Sequence, residues 1–347
     1  MNQQLIQAAR VALIALATVA SVTDVRATAA SPGEGEGDKP SLSVSVMQFM
    51  TPAQRADATS GAPTFDATSV IQQALESSLN VDFGGPRFTY RVSGTMTLRD
   101  GQTVNTRGAS IRQYKAQTPI FNCSKRKNIT IEDSVLIGMG TDFVNTPSSI
   151  AVGIQCNGAS GVVVRGNRFE NFAYAPFWSM DIDDFKYIGN TVKGPGSTVL
   201  KPGVSRNNTG VTVGGKNILI ANNVISETGQ GLIVAETSQH IVVTGNVIHD
   251  IISEHGMYFD AGLRNLTVTG NTIVEVYHTG LKVQHYDAVG IEPNTILIAG
   301  NSIEGTKVGD CILMINSVPQ YRAIPCTALA VPAFTCRRAK ISPSAAT

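Results

Sequence analysis

The sequence predicts an all-β fold in which short strands stack as the coils of a single-stranded parallel β-helix, behind a short N-terminal capping α-helix. A motif of apolar or β-branched residues followed by Gly-Asn occurs six times, and no helical period appears between its copies. Glycine is abundant, with 33 residues in a chain of 347, which suits short elements separated by tight turns. The 27 basic and 26 acidic residues give a net charge of +1, which argues against a nucleic-acid-binding protein.

The first 30 residues are typical of a secretory signal peptide. Arg10 precedes an apolar run at residues 11–20 that is too short to span a bilayer, and small residues follow around Ala29. We expect cleavage near Ala29 or Ala30 and a secreted protein, extracellular or periplasmic; an uncleaved, tethered form is the alternative. No later stretch reaches the about 18 apolar residues of a membrane helix, so no membrane span is expected after signal removal. A linker and lead-in segment follows at residues 31–64.

The motif copies set the length of one coil. The second residues of their Gly-Asn or Asn-Asn pairs are Asn167, Asn190, Asn223, Asn246, Asn271 and Asn301. These markers lie 23, 33, 23, 25 and 30 residues apart, so the long intervals are expected to contain loops, at residues 194–208 and 285–294. A degenerate earlier copy places Asp133 at the marker. Such a column lets each side-chain amide bond to the amide of the next coil.

Within a copy, the apolar residues alternate as in a strand. Ile241 and Val243 are predicted to point inward, and Val242 and Thr244 outward. A second motif of glycine, apolar, variable and apolar residues adds another strand to most copies. Such units bury a core only when they stack, about 4.8 Å apart, which predicts a β-helix at residues 65–316. A β-sandwich is the alternative, but it does not require a fixed interval.

The two ends of the stack are predicted to differ from its coils. A short amphipathic helix at residues 68–79, capped by Asp66 or Thr68, is expected to cover the open first coil. Its apolar face comprises Val70, Ile71, Ala74 and Leu75. At the other end, residues 317–347 form an irregular tail that contains several prolines.

The cysteines do not form a recognisable framework. They are Cys123, Cys156, Cys311, Cys326 and Cys336. An odd number leaves at least one thiol unpaired in an exported chain, and a chain of this length has no need of a disulfide framework. A bridge between Cys326 and Cys336 is one pairing that the spacing allows in the tail. No Cys-x-x-Cys spacing occurs, which argues against a metal site.

Residues 81–316 resemble the right-handed parallel β-helix proteins of the pectin-lyase-like superfamily. The residues before them, together with a Y-x-V-S-G-T-x-T-L strand at Tyr90–Leu98, resemble the beginning of its tailspike and polysaccharide-lyase members. The resemblance implies a polysaccharide as the partner. It does not specify the chemistry, because this fold occurs in lyases, hydrolases, epimerases and binding spikes.

The motifs of the best-known enzymes of this superfamily are not matched. Polygalacturonases carry N-T-D, D-D, G-H-G and R-I-K motifs, whereas Asp183-Asp184 here is predicted to fall in a linker. Glu254-His255-Gly256 lacks the first glycine, and Gly280-Leu281-Lys282-Val283 resembles R-I-K only weakly. The calcium-dependent pectate lyase pattern is not recognisable either. The resemblance therefore assigns no catalytic residue and no cofactor; a divalent cation such as calcium has no clear ligand motif.

The stacking itself predicts a polar patch. Tyr258 and Lys282 occupy the same outward place in successive copies, so they should lie one rung, about 4.8 Å, apart, with Asp260 about 7 Å along the strand. The predicted catalytic residues are Tyr258, Lys282, His255 and Asp260. The predicted substrate-binding residues are His278, Gln284, Thr212, Glu236 and Trp178.

This patch suits an acidic polysaccharide. In β-elimination, Tyr258 or His255 would remove the proton next to a uronate carboxyl group while Lys282 neutralises the developing charge. Hydrolysis would need two carboxyl groups about 5 to 9.5 Å apart, and Asp260 with Glu236 or Glu254 is the candidate pair. We therefore expect an exported polysaccharide lyase or glycoside hydrolase. The alternative is a non-catalytic glycan-binding surface protein or a phage-derived, tailspike-like protein.

Simpler interpretations stand beside these roles. An outward Lys or Tyr on a β-helix is commonly just solvated surface. Trp178, with Phe172, Tyr174 and Phe177, would either stack on sugar rings or fill an irregular coil. The column of Glu227, Asp250 and Glu275 is interpreted as turn residues.

Overall fold

The computed structural model describes residues 43–115, 119–140, 152–205, 207–235, 237–284 and 296–315. These residues form a parallel β-helix, which confirms the predicted fold class. A complete coil contains three short strands, and equivalent strands of successive coils pair in parallel. Three sheets therefore run along the stack, and we call them sheets I, II and III in the order in which a coil enters them.

Sheets I and II are joined by two long strands, Ala175–Ile188 and Thr209–Ala221, which run around the corner between them. The other strands of sheet I are Met96–Thr97, Phe121–Asn122, Val152–Gln155, Gln230–Val234, Met257–Phe259, Leu281–Gln284 and Ile312–Ile315. The other strands of sheet II are Val44–Ser45, Asn80–Asp82, Thr103–Asn105, Lys127–Glu132, Ser160–Arg165, Gln239–Thr244, Arg264–Thr269 and Ile296–Ala299. Sheet III comprises Thr89–Val92, Ser110–Gln113, Val135–Ile137, Arg168–Glu170, Thr191–Lys193, Val224–Ser226, Val247–Ile251, Thr272–Val276 and Ser302–Thr306.

The core fills the centre of the coils. Ile241 pairs with Ile218 on one side and Leu266 on the other, so that like side chains stack in columns. Ile241 and Val243 are fully buried, whereas Val242 between them is 38% exposed, as the alternation predicts. The described residues between Lys193 and Thr209, which exclude residue 206, form a loop, as predicted.

The predicted asparagine column is present at the corner between sheets II and III. The side-chain amide of each marker donates to the side-chain oxygen of the next, from Asn167 through to Asn301. The residue before each marker has a positive φ and is glycine except at Asn222. The earlier copy is one residue out of the predicted register: Ser134, not Asp133, stands at the marker, and its N–H donates to Asn167 Oδ1 at 3.0 Å. Asp133 takes the positive-φ place instead.

The first coil is covered by helical segments. The predicted helix is present at Thr68–Ser77, and its four predicted apolar residues are buried. Ala67 is its N-cap, but the carboxylate of Asp66 accepts the N–H of Thr68 at 3.0 Å. A 3₁₀ helix at Val46–Phe49 and a second α-helix at Pro52–Ala58, which has a capping box, were not predicted. None of the helices in the described part of the chain is long and apolar enough to cross a membrane.

Three details differ from the sequence analysis. The strand expected at Tyr90–Leu98 is two strands, because residues 93–95 turn the corner from sheet III to sheet I. Asp183-Asp184 lies within the long strand Ala175–Ile188, not in a linker. Cys123 and Cys156, which were not predicted to pair, form a disulfide between adjacent coils with a Cα–Cα distance of 4.4 Å.

Several predictions fall outside the described residues. They are the signal peptide, residues 31–42 of the linker and lead-in segment, the loop at residues 285–294, the tail with its Cys326–Cys336 pairing, and Glu236. The domain boundaries at residues 30, 64 and 316 remain predictions.

Candidate functional site on sheet I

One column of outward residues on sheet I contains most of the predicted site. Cα pairing runs in register from Trp178 through Thr212 and Ile233 to Tyr258 and Lys282. In the four later strands of this column, a glycine lies next to the first residue of the strand, because successive coils approach closely there. At Gly256, for example, an added Cβ atom would lie 2.6 Å from the carbonyl oxygen of Gly280. The predicted spacing of Tyr258 and Lys282 by one rung is therefore present.

Tyr258 is at the centre of the polar contacts. Its hydroxyl lies 3.0 Å from Asp260 Oδ1 and 2.7 Å from Gln284 Oε1. A phenol has one proton, so both hydrogen bonds form when Tyr258 donates to Asp260 and Gln284 turns its amide to donate to Tyr258. The Nζ atom of Lys282 lies 5.0 Å from the centroid of the Tyr258 ring. The four polar groups therefore form one cluster on the outer face.

His255 lies in the turn before this strand and is only 5% exposed. Its Nδ1 atom accepts the backbone N–H of Thr279 at 3.4 Å, and its Nε2 atom lies 3.4 Å from Glu254 Oε2. The neutral tautomer with the proton on Nε2 satisfies both contacts. The imidazole stacks against the Tyr258 ring at a centroid distance of 5.7 Å. This geometry supports the Tyr258 ring and favours Tyr258 over His255 as a group that reaches a ligand.

The remaining predicted site residues differ in how far their side chains are buried. His278 is half-buried, edge-on to His255 at 4.8 Å, with Nδ1 2.9 Å from the Thr279 hydroxyl. Thr212 stands in the column but is 5% exposed, and its hydroxyl is 2.9 Å from that of Thr209. Trp178 is half-buried on the outer face of sheet I. Glu236 lies outside the described residues.

The sequence analysis left two roles for the aromatic residues near Trp178, stacking on sugar rings or filling the core of a coil, and the structure places them in both kinds of position. Phe172 and Phe177 are buried in the core, where Phe177 stacks on Phe185 at a centroid distance of 4.5 Å. Tyr174 is partly buried, and burial raises the pKa of its hydroxyl. The column of Glu227, Asp250 and Glu275 has φ values of 56°, 54° and 54°, which is the geometry expected of turn residues.

The carboxylates near the site do not form a cluster. In the described strands of sheet I, acidic residues occur only where the long strand Ala175–Ile188 turns the corner, at Asp181, Asp183 and Asp184. The carboxylates beside the site, Asp260 and Glu254, contact Tyr258 and His255. In the described part of the chain, no three His, Cys, Asp or Glu side chains come together as metal ligands.

A groove of about 290 Å³ lies on the corner between sheets I and II, and the sequence analysis did not find it. It forms where the strand Ala175–Ile188 has a bulge between Ser179 and Ile182. Its lining residues are Met180, Asp181, Ile182, Gly214, Gly215, Lys216, Thr237 and Gln239. In the sequence, the pair Gly214-Gly215 is the one feature that could have indicated this groove, because both glycines lie at the corner where the coil turns from sheet I to sheet II.

Comparison with known proteins supports the fold. The sequence matches the family described as "Right handed beta helix region" over residues 120–296, which is about half of the chain. No curated protein matches the sequence. Among solved structures, PfbA, a surface adhesin of Streptococcus pneumoniae, has a TM-score of 0.56 at 12% identity, with 79% of each chain covered.

Two further structures are similar at the same level. A polygalacturonase from Erwinia carotovora ssp. carotovora has a TM-score of 0.53 at 17% identity, covering 74% of this chain and 76% of the enzyme. A tailspike protein of E. coli bacteriophage HK620, in complex with a pentasaccharide, has a TM-score of 0.54 at 12% identity, covering 78% of this chain and 56% of the tailspike. Identities this low establish the fold alone. The family match and the stacked parallel coils show that the chain belongs to the right-handed β-helix family.

Proposed function

We propose that the protein is exported and acts on a uronate-containing polysaccharide, which it binds along the outer face of sheet I and cleaves by β-elimination. The observation that carries this proposal is the pairing of Tyr258 and Lys282, with the ammonium group 5.0 Å from the ring centroid. A proton-transferring group and a cation beside each other on an open face are what β-elimination at a uronate requires. The disulfide between Cys123 and Cys156 is consistent with an oxidising compartment outside the cytosol.

In the proposed reaction, Lys282 binds the uronate carboxylate and stabilises the negative charge that develops next to it. Tyr258, as the phenolate, takes the proton from the carbon beside the carboxyl group. The electron pair forms a carbon–carbon double bond, the glycosidic carbon–oxygen bond breaks, and the leaving oxygen takes a proton from Tyr258. Asp260 accepts the Tyr258 hydroxyl proton in the resting arrangement and takes up that proton as the phenolate forms. The protonated Asp260 and the Gln284 amide then both donate to the Tyr258 oxygen and orient it.

Hydrolysis has less support among the described residues. It requires a pair of carboxyl groups on either side of the bond to be cleaved. The acidic residues of the described sheet I strands, Asp181, Asp183 and Asp184, lie at the corner with sheet II and not beside Tyr258. Glu254 is only 13% exposed beside His255. We therefore favour elimination over hydrolysis.

Glycan binding without cleavage is the second candidate. One observation favours it: the Tyr258 hydroxyl is within hydrogen-bond distance of both Asp260 and Gln284, which holds the phenol in place as a binding surface would. The similarity in fold to a surface adhesin and to a tailspike that binds a pentasaccharide also fits this function.

Incubation with acidic polysaccharides tests the proposal. Ultraviolet absorbance detects the unsaturated product of elimination, and a reducing-end assay detects every cleavage. We expect Tyr258→Phe to lower the elimination rate by about 10²-fold or more while the affinity changes little, and Lys282→Ala to weaken binding. Lys186→Ala, an exposed lysine on sheet II, is the matched control and should change neither.

The outcomes separate the candidate functions. Reducing ends without absorbance would indicate hydrolysis, and binding without either signal would indicate a glycan-binding protein. Full elimination activity in both Tyr258→Phe and Lys282→Ala would show that the site lies elsewhere.

A further inference from the structure

The groove on the corner between sheets I and II lies on the same track as the candidate site. Gly214 and Ala235 are followed, in successive coils, by Asp260 and Gln284 at the ends of the sheet I strands. Three rungs from Gly214 to Gln284 correspond to roughly 14 Å along the stack. An extended glycan bound at Lys282 and running along this corner therefore reaches the groove.

Close packing of successive coils requires the two glycines that line the groove. At Gly214, an added Cβ atom would lie 2.9 Å from the Met180 sulfur and 3.1 Å from the Ala235 Cβ atom. Gly215 has no room for a side chain because the backbone of Ile182 passes next to it. The volume of about 290 Å³ is at the small end of the range of ligand sites, which suits a single sugar ring. Trp178, two residues before Met180, lies on the adjacent outer face of sheet I.

The charges of the groove differ from those at Lys282. Lys216 is the only cation among its described lining residues, and its Nζ atom lies 3.3 Å from Asp183 Oδ2. Asn217 donates to the other oxygen of Asp183 at 2.8 Å, and this hydrogen bond, together with Lys216, holds the pKa of Asp183 below its ordinary value. Asp181 adds a second carboxylate. Arg264, the backbone partner of Gln239 in the next coil, is not one of the described lining residues.

A uronate carboxylate would be disfavoured in this groove, because Asp181 and Asp183 outnumber Lys216, the one cation among the described lining residues. The uncharged Thr237 and Gln239 line the same space and offer a hydroxyl and an amide. These groups suit the hydroxyls of a neutral sugar. The chemistry at the two ends of the track is therefore different: cationic at Lys282, and polar without a free cation among the described lining residues of the groove.

We propose that the groove binds a neutral sugar unit of the same polysaccharide whose uronate lies at Lys282, so that the substrate is a heteropolysaccharide containing both uronate and neutral sugars. This inference rests on the proposed function and specifies its substrate class. A polymer made only of uronate units would place a carboxylate in the groove beside Asp181 and Asp183.

Calorimetric binding of three defined oligosaccharides tests the proposal. They are a hexamer of uronate units alone, a hexamer in which uronate and neutral hexose units alternate, and the alternating disaccharide. We expect the alternating hexamer to bind to the protein that carries Tyr258→Phe alone at least about tenfold more tightly than the all-uronate hexamer. Catalysis is suppressed by Tyr258→Phe in every protein compared, so that binding alone is measured.

Variants of Gln239 locate the effect in the groove. Gln239→Trp fills the groove without changing its charge, and should weaken binding of the alternating hexamer by about tenfold while leaving the disaccharide unaffected. Gln239→Lys adds a cation, and should improve binding of the all-uronate hexamer. Thr267→Trp, an outward residue elsewhere on sheet II, is the matched control and should have no effect. Circular dichroism melting curves establish that each variant is folded.

The outcomes distinguish this inference from the proposed function. Equal binding of the two hexamers, or unchanged hexamer binding in Gln239→Trp, would overturn the inference while leaving the function of sheet I intact. If the wild-type surface binds no uronate oligosaccharide, the proposed function and this inference are both wrong.

Discussion

The side-chain amide of Asn223 donates to the side-chain oxygen of Asn246 at 2.9 Å and to the carbonyl oxygen of Tyr187 at 2.9 Å. Its own side-chain oxygen accepts both the backbone and the side-chain N–H groups of Asn190. Asn223 is fully buried, and these four bonds use all of its hydrogen-bonding capacity. The column therefore links the coils at a corner where the strands of sheets II and III do not pair.

Replacement of Asn223 by alanine should strongly destabilise the stack. It leaves buried partners in two neighbouring coils without their hydrogen bonds, and each such group costs about 1 to 3 kcal/mol. We expect the free energy of unfolding, measured by urea titration, to fall by roughly 3 kcal/mol or more. Asn207→Ala, an exposed asparagine in the loop before sheet I, is the control. Equal effects of the two substitutions would contradict the role of the column.

Loss of the disulfide between Cys123 and Cys156 should also destabilise the protein. The bond closes a loop across a sequence separation of 33, the length of the longest interval between the markers. Loop-closure entropy predicts a loss of about 3 to 4 kcal/mol in the double variant Cys123→Ala with Cys156→Ala. Ile154→Val, a buried residue on the same strand, should cost only about 1 kcal/mol. Similar losses in both proteins would mean that packing, not the cross-link, stabilises these coils.

The features that depend on the regular repeat, above all which side chains stack in successive coils, were predicted from the sequence. The pairing of Tyr258 with Lys282 follows from counting residues from the glycine next to the start of each strand, since equivalent places stack. Where no Gly-Asn pair sets the register, the prediction slipped by one residue, at Asp133 and Ser134. The alternation of inward and outward side chains, which holds in strands, does not hold in turns. It therefore did not predict that the His255 ring stacks against the Tyr258 ring.

Long-range pairings and irregular corners were not predictable in the same way. Cys123 lies in the coil before the first clear copy of the motif, so its stacking on Cys156 was not visible from the spacing of the motif. The groove depends on a bulge between Ser179 and Ile182, which a pattern of apolar residues does not reveal. The binding preference proposed here therefore arises from a departure from the repeat.

His255 is expected to position Tyr258 rather than to contact the glycan. His255→Ala removes one partner each from the Thr279 amide and from Glu254, and leaves space beneath the Tyr258 ring. We expect the elimination rate to fall while the affinity for a uronate oligosaccharide changes little, because Lys282 is retained. His255→Gln, whose side-chain oxygen can accept the Thr279 N–H, should restore part of the rate. A large loss of affinity with an unchanged rate would instead indicate that His255 contacts the glycan.

Asp66 should make the N-terminal cap sensitive to acid. Burial opposes ionisation of this carboxyl group, but hydrogen bonds from Ser93 and Thr68 outweigh it and hold the pKa below its ordinary value of 3.8. A pKa that is lower in the folded protein stabilises the fold above pH 3.8, and this contribution disappears as the pH falls through the folded value. Asp66→Asn should therefore be less stable than the wild type at pH 7, and the difference should shrink towards pH 2.

The expected difference at pH 7 is roughly 0.5 to 1 kcal/mol, because the side chain is exposed and solvent screens its charge. Thermal melting of both proteins between pH 2 and pH 7 measures it, and Asp184→Asn reports the effect of removing an exposed carboxylate from the stack itself. The Ser93 hydroxyl and the Thr68 N–H both donate to Asp66, so the carboxylate joins the start of the capping helix to the corner that leads into sheet I. A difference between wild type and Asp66→Asn that stays constant over this range would mean that the hydrogen bonds do not depend on the charge of the carboxylate.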